Sequence, residues 1–278
     1  MWHRAHIVIL FVFGLSIGVV CSANQPSAAL ELTIEGEPIQ GGLLLARTTP
    51  GAVVHLDERP LKLDAEGRFV FGFGRDAATD SLLIVQHKDQ QIDYPLSVRQ
   101  RDYQVQRIDG LPSKMVSPDQ KALERIRREN RQIAQVRAGY TESDAFRAGF
   151  ILPAEGPISG VYGSQRILNG EPRRPHFGLD IAAPTGTAVI APAAGTVALA
   201  EPDLYFTGGT LMIDHGRGIT SVFSHLSALT VSEGDFVAQG EKIGEIGATG
   251  RATGPHLDWR VNWFEVRLDP ALLLNDRD

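Results

Sequence analysis

Cysteine is all but missing: Cys21 stands alone among 278 residues, so no disulfide can form within the chain. The fold must rest on packed cores, which a chain of this length can supply. Charge of one sign is missing too. The 27 Lys and Arg are set against 33 Asp and Glu, a net charge of -6 spread along the sequence, which excludes the basic stripe of an electrostatic nucleic-acid partner. A long apolar run is also absent from the first segment. Ile7 to Val20 has fourteen residues, short of the roughly 20 that a membrane helix needs. With Arg4 before it and the small residues Ala23 and Ala28-Ala29 after it, this run reads as a secretory signal peptide over 1–23, with cleavage as late as 29. The expected mature protein is exported, periplasmic or associated with the cell wall, without a stable membrane span. Val20 before Cys21 disfavours lipid attachment.

The chain from Leu30 onward is rich in short strands. Leu32 to Ile34, Leu43 to Leu45, Val53 to Leu56, Phe69 to Phe71, Leu82 to Val85 and Tyr94 to Val98 are separated by glycines and by candidate hairpin turns at Pro50-Gly51 and Ala65-Glu66-Gly67. This spacing predicts a small antiparallel sandwich of Ig-like type over 30–100. His55 and His87 fall among its strand residues and read as ordinary sheet positions. From Ser117-Pro118-Asp119-Gln120 the period changes to that of a helix, with Ser117 as cap, Pro118 at the first position and Gly139 as the stop. Leu123, Ile126, Ile133 and Val136 form a narrow apolar stripe among arginines. A solvated connecting helix lying on one of the domains is expected within a linker over 101–149. From 150 to 278 glycine-punctuated β runs return, predicting a second all-β unit.

The chemistry sits in that unit. In His176-Phe177-Gly178-Leu179-Asp180-Ile181 the even positions share one face if the segment is a strand, and the odd ones face a core. The alternation recurs in His256-Leu257-Asp258-Trp259-Arg260-Val261, and another histidine stands in Val222-Phe223-Ser224-His225-Leu226. Imidazole and carboxylate are ordinary zinc ligands, and three segments offer them together. His215, near Gly216 and Gly218, is assigned to a turn outside the site, and Tyr205 and Asn169 to loops that could border a groove.

Pro175 to Pro184, Ala191 to Val197, Ser224-His225-Leu226-Ser227, Gly234 to Gly240 and Thr249-Gly250 to His256 agree in order and separation with one family. Over about residues 150 to 272 the chain resembles the LytM/lysostaphin-type zinc metallopeptidases, which cut peptide bonds in bacterial peptidoglycan. The resemblance implies a β-sheet domain of the duplicated hybrid motif type, related to lipoyl barrels. It implies Zn2+ as cofactor, held by His176 and Asp180, with His225 and His256 as the catalytic pair. Peptidoglycan peptides would be the substrate, and other wall hydrolases are possible partners. One position departs from the pattern: Asp258 stands where the family's third ligand is a histidine. If Asp258 coordinates, the site is formally neutral and its water less acidified, giving a slower enzyme or a raised pH optimum. If it cannot reach, the domain is a binding or regulatory relic that activates another hydrolase. Coordination is the expectation, because a carboxylate oxygen extends about as far from Cβ as the nearer imidazole nitrogen.

Overall fold

The computed structural model describes residues 29–110 and 119–274. The expected signal peptide and Cys21 lie outside them, as do Ser117 and Pro118. The chain is mainly β. No helix among the described residues is long and apolar enough to cross a membrane.

The first strands form two antiparallel sheets. β1 (Leu32–Glu35), β2 (Leu43–Thr48) and β5 (Arg68–Gly72) make one; β3 (Val53–Leu56), β4 (Arg59–Leu61), β6 (Asp80–His87) and β7 (Gln90–Ser97) make the other, in the order β4-β3-β6-β7. Leu44, Phe69 and Phe71 from the first and Val54, Leu83 and Val85 from the second are buried in one core. Both expected turns are present, but neither closes a hairpin. Pro50-Gly51 carries the chain from β2 to β3, and Ala65 to Gly67 from β4 to β5, so each crosses between sheets. The hairpins turn instead at Asp57-Glu58 and Lys88-Asp89, where Asp57 (φ 52°) and Lys88 (φ 55°) take the left-handed conformation. Without glycine at either place, composition hides these turns.

The linker differs from expectation in two ways. It contributes a strand, β8 (Val105–Ile108), paired in parallel with β10 (Gln165–Leu168), which in turn pairs with β11 (Glu171–Pro172). The helix, α1, runs Gln120–Ala138 and is capped by Asp119, whose side chain accepts from the Ala122 N–H, rather than by Ser117. Ile133 and Val136 pack on Leu199, Leu204, Met212 and Val222, so the apolar stripe docks α1 on the carboxy-terminal unit. Glu129, buried in this contact, receives the Tyr205 N–H at 2.9 Å and Arg125.

Apart from β10 and β11, the strands of the carboxy-terminal unit form one ten-stranded sheet. Its main path runs β17 (Phe236–Val237), β14 (Gly195–Leu204), β15 (Gly208–Gly216), β16 (Ile219–Leu229), β19 (His256–Trp263), β12 (Leu179–Ala182) and β9 (Ile158–Gly160). β13 (Ala188–Ile190), β18 (Lys242–Ile246) and β20 (Val266–Leu268) join from the side. Leu211, Ile213, Phe223, Trp259 and Val261 are fully buried. The two units are tied by Arg217, buried and bonded to Asp64 at 3.1 Å and Asp144 at 2.9 Å, and by Arg101 on Asp269 at 2.7 Å.

His215 lies in β15 and not in a turn. Its Nδ1–H donates to the Ala194 carbonyl (2.8 Å), which leaves Nε2 to accept from the Ser221 hydroxyl (2.8 Å). Burial pushes its pKa down to about 4, against the weaker opposing pull of that carbonyl. The unfolded chain, with an ordinary histidine, therefore binds more protons between pH 6.5 and 4. Stability is full above the unfolded pKa and falls as pH drops through this window, by about 3 kcal/mol from this residue. Urea unfolding across that range should show the slope in wild type and a shallower one in His215→Gln; equal slopes would contradict this assignment.

Candidate metal centre and its histidine pair

β12 and β19 run antiparallel with Asp180 directly opposite Asp258 and Ala182 opposite His256. On the other side of β19, Ser224 of β16 stands opposite Asp258. Hydrogen-bonded strands thus fix the two carboxylates to each other. His176 arrives differently. It precedes β12 and is not part of any strand, contrary to the alternation drawn from sequence; its N–H donates to the Ser164 carbonyl (2.8 Å) and its carbonyl accepts from Gly163 N–H (2.7 Å). A loop, rather than strand parity, aims this imidazole.

The result is a compact donor set. His176, Asp180 and Asp258 are all buried and offer ligand atoms within 4.8 Å of one another. His176 Nε2 approaches Asp180 Oδ1 to 3.0 Å. The contact lacks hydrogen-bond alignment, so both ring nitrogens of His176 and Asp180 Oδ1 are buried without a hydrogen-bond partner. Unsatisfied buried polar atoms are costly. His176 Nε2 and Asp180 Oδ1, 3.0 Å apart and each without a hydrogen-bond partner, fit a cation beside them.

Each carboxylate is also held by an arginine. Arg166 Nη2 donates to Asp180 Oδ2 at 3.2 Å. Arg260 grips Asp258 with two groups, Nε on Oδ1 at 2.9 Å and Nη2 on Oδ2. Burial alone would raise the Asp258 pKa, but Arg260 above all, with His176, outweighs it and holds the group well below the usual carboxylate range. Asp258 is therefore an anion at any ordinary pH. Space for the carboxylates comes from glycine. A Cβ on Gly178 would stand 2.2 Å from Asp258 Oδ1, and one on Gly160 2.3 Å from Asp180 Oδ2. Gly178→Ala is expected to displace Asp258 and weaken metal binding at least tenfold, read by competition with a chromogenic chelator; unchanged affinity would show that this approach is not needed.

Beside the donor set lie two histidines. β16 gains one residue relative to β15 between Phe223 and Leu226, and His225 in this bulge has φ 70°. The strained conformation turns the ring away from strand alternation, and histidine tolerates it better than most residues. His225 Nδ1–H donates to the Thr249 carbonyl (2.8 Å) and His256 Nδ1–H to the Gly254 carbonyl (2.9 Å), so each ring presents Nε2 as a base. The ring centroids are 4.7 Å apart. Burial is the main cause that pushes His225 down to about 4, with the Asp258 charge opposing and His256 adding to it. Both rings, with Asp180, line a cavity of about 230 Å3. His176 and Asp258 are not among its lining residues.

All five residues singled out in the sequence are thus brought together. His215, Tyr205 and Asn169 do not line the cavity. Sequence reasoning missed Arg166, Arg251 and Gln106, which do; Gln106 comes from the linker strand and accepts from Arg166 Nε at 3.3 Å. Arg260 lies two residues past Asp258 and so on the same face of β19, but nothing in composition marks it as a partner.

Residues 174–270 match the model of Peptidase family M23. The chain carries an M23, LytM-type domain. A family of metallopeptidases implies a metal ion, which agrees with the donor set. The chain is 44% identical over 91 residues to the DD-carboxypeptidase/endopeptidase Mpg of Neisseria meningitidis serogroup B, covering 32% of this chain and 21% of that protein. It is 37% identical over 102 residues to the peptidoglycan DD-endopeptidase ShyA of Vibrio cholerae serotype O1, covering 34% and 24%. The matched regions thus span about a fifth to a quarter of these curated relatives. The likeness to a solved structure, a putative peptidase M23 from Pseudomonas aeruginosa, extends further. It covers 86% of this chain and 96% of that one, with TM-score 0.67 and 29% identity, so the likeness reaches well beyond the M23 stretch.

Proposed function

We propose that the protein is a zinc-dependent endopeptidase that hydrolyses peptide cross-links or stem peptides of bacterial peptidoglycan outside the cytoplasm. The observation that carries this reading is the pairing of unsatisfied ligand atoms on His176 and Asp180, next to Asp258, with two histidine bases on the same cavity. The relatives named as DD-endopeptidases point the substrate toward peptidoglycan. We read 30–100 as an Ig-like accessory sandwich, 101–149 as the linker and 150–278 as the peptidase domain of duplicated hybrid motif type.

His176, Asp180 and Asp258 would hold the ion. When bound, zinc supplies Lewis-acid polarisation of the scissile carbonyl and acidification of water. The rest falls to the chain. One Nε2 of the pair takes the proton of the attacking water, and the other donates to the developing oxyanion or to the leaving amine. Carbonyl bonds at Nδ1 leave Nε2 of each ring as the acceptor, so the ring that donates does so after taking up a proton there. The His225 ring is kept neutral by burial, ready to accept a proton at neutral pH.

Arg260 answers the departure at position 258. The Asp258–Arg260 pair is net neutral, as an imidazole would be, and Asp180 is in turn bonded to Arg166, so neither carboxylate faces the ion with its full charge. The loss of acidity expected from two carboxylates is thereby reduced. A regulator without activity is the rival reading. A retained proton-transfer pair has no use in it, which favours the enzyme.

Incubation of the full chain with purified peptidoglycan should release new free amino groups, stop with a chelator and resume with zinc. Absence of new amines under zinc repletion would leave the regulator.

A further inference from the structure

The linker reaches toward the donor set through β8. Gln106 in β8 and Arg166 in β10 are register partners across the parallel ladder, which puts both side chains on one face. That face is turned to the cavity, which both residues line, while Val105 and Arg107 on either side of Gln106 are exposed. Arg166 Nε donates to Gln106 Oε1 at 3.3 Å and its Nη2 to Asp180 Oδ2 at 3.2 Å. The arginines on the two carboxylates are thus used differently. Arg260 places Nε and Nη2 on the two oxygens of one carboxylate, the bidentate grip that a guanidinium favours. Arg166 divides the same two nitrogens between an amide oxygen and a single carboxylate oxygen. Asp180 Oδ1 is left buried and without a hydrogen-bond partner, 3.0 Å from His176 Nε2.

We propose that Gln106 is a positioning residue for the metal centre: by occupying Arg166 Nε it prevents a bidentate grip on Asp180 and keeps Oδ1 open for the ion. This rests on reading His176, Asp180 and Asp258 as metal ligands. The amide suits the task by its chemistry. A guanidinium carries donors only, so Gln106 must present its oxygen, and being uncharged it engages Nε without drawing Arg166 off Asp180. With the amide gone, the Nε–H of a guanidinium already bonded to Oδ2 would turn to the remaining oxygen of the same carboxylate, as that of Arg260 does on Asp258. A hydrogen bond would then stand where the ion must bind, and partners behind a metal ligand set its affinity by about 10–100-fold. Gln106 and Arg166 both lie outside 174–270, so the linker strand supplies a part of the centre that the M23 stretch does not contain.

The test is the zinc affinity of the full chain, measured by competition with a chromogenic chelator, with hydrolysis of peptidoglycan followed separately. Gln106→Leu keeps the size and removes the acceptor, and should weaken zinc binding by about tenfold or more. Gln106→Glu returns an oxygen to the same place and should stay within about threefold of wild type or bind tighter. The loss should also require Arg166. With Arg166→Met as the background, adding Gln106→Leu should change the affinity by less than about twofold. A merely structural Gln106 would give the full loss in both backgrounds and no rescue by glutamate, and either result overturns the proposal. So does a Gln106→Leu variant that binds zinc as wild type does, which leaves the metal centre standing and removes this inference alone. A wild type without zinc affinity removes both. The predicted pattern of affinities without hydrolysis in the wild type supports the positioning role and counts against the peptidase.

Discussion

Asp258→Ala is expected to leave the purified protein without stoichiometric zinc and to lower its stability by about 3–5 kcal/mol. Two physical causes add. Asp258 is 1% exposed and sits among His176, Asp180 and Arg260, so its removal takes away a donor and leaves a largely buried guanidinium without its hydrogen-bonded ion-pair partner. The second cause can be isolated. In Asp258→Ala with Arg260→Ala the unpaired cation is gone, so the double variant should be more stable than the two single changes predict by addition, with a coupling of about 0.5–3 kcal/mol. Metal should stay lost in it. Asp258→His alone should not restore the site either, because it sets an unneutralised Arg260 beside a divalent ion; joined to Arg260→Ser it should. Metal content after dialysis and urea denaturation read these outcomes. Full metal and unchanged stability in Asp258→Ala would remove the residue from the ligand set.

The second large effect is kinetic. His225→Gly should lower kcat by about 10²–10⁴ with zinc content unchanged. Glycine is the informative substitution because position 225 has φ 70°, which glycine adopts freely and alanine does not. Loss of activity in the glycine variant thus reports the missing imidazole rather than a straightened bulge. His256→Ala should give a loss in the same range, and the two losses together should not add, since the two rings act as a unit on one tetrahedral intermediate. A kcat within about threefold of wild type for either variant, at full metal, would contradict the assigned roles.

Some of this site is written plainly in the chain. His256 and Asp258 lie two apart on β19, and strand alternation alone puts them on one face. The same argument reaches Asp180 but not His176, whose place depends on loop bonds to Gly163 and Ser164. His225 illustrates a different limit. Regular alternation would turn it away from Ser224 and Asp258, and only a bulge, invisible to periodicity, swings it back. Resemblance carried that residue where spacing could not. The arginines were the least legible. A guanidinium reads as surface until the register shows that Arg260 folds back on Asp258 and that Arg166 meets Asp180 from another sheet.

The fold shows the same division. Strands in the amino-terminal unit follow from β-branched and aromatic runs between turn residues, yet which turns close hairpins depends on pairing partners far along the chain. Helix α1 was evident from its period and its dock from its stripe. The strand β8 was not: Val105–Ile108 has only four residues, two of them polar, and it pairs along an edge that β10 presents to it. Its reward is functional, since it brings Gln106 to the cavity wall.

The most direct measurement of the central claim is a crystal of the full chain grown with zinc and measured on both sides of the zinc absorption edge. An anomalous peak at about 2.0–2.2 Å from a His176 nitrogen, an Asp180 oxygen and an Asp258 oxygen, with Arg260 still on Asp258, is the predicted result. A zinc-replete crystal with no peak among these three residues, or with a peak that Asp258 does not touch, would contradict it.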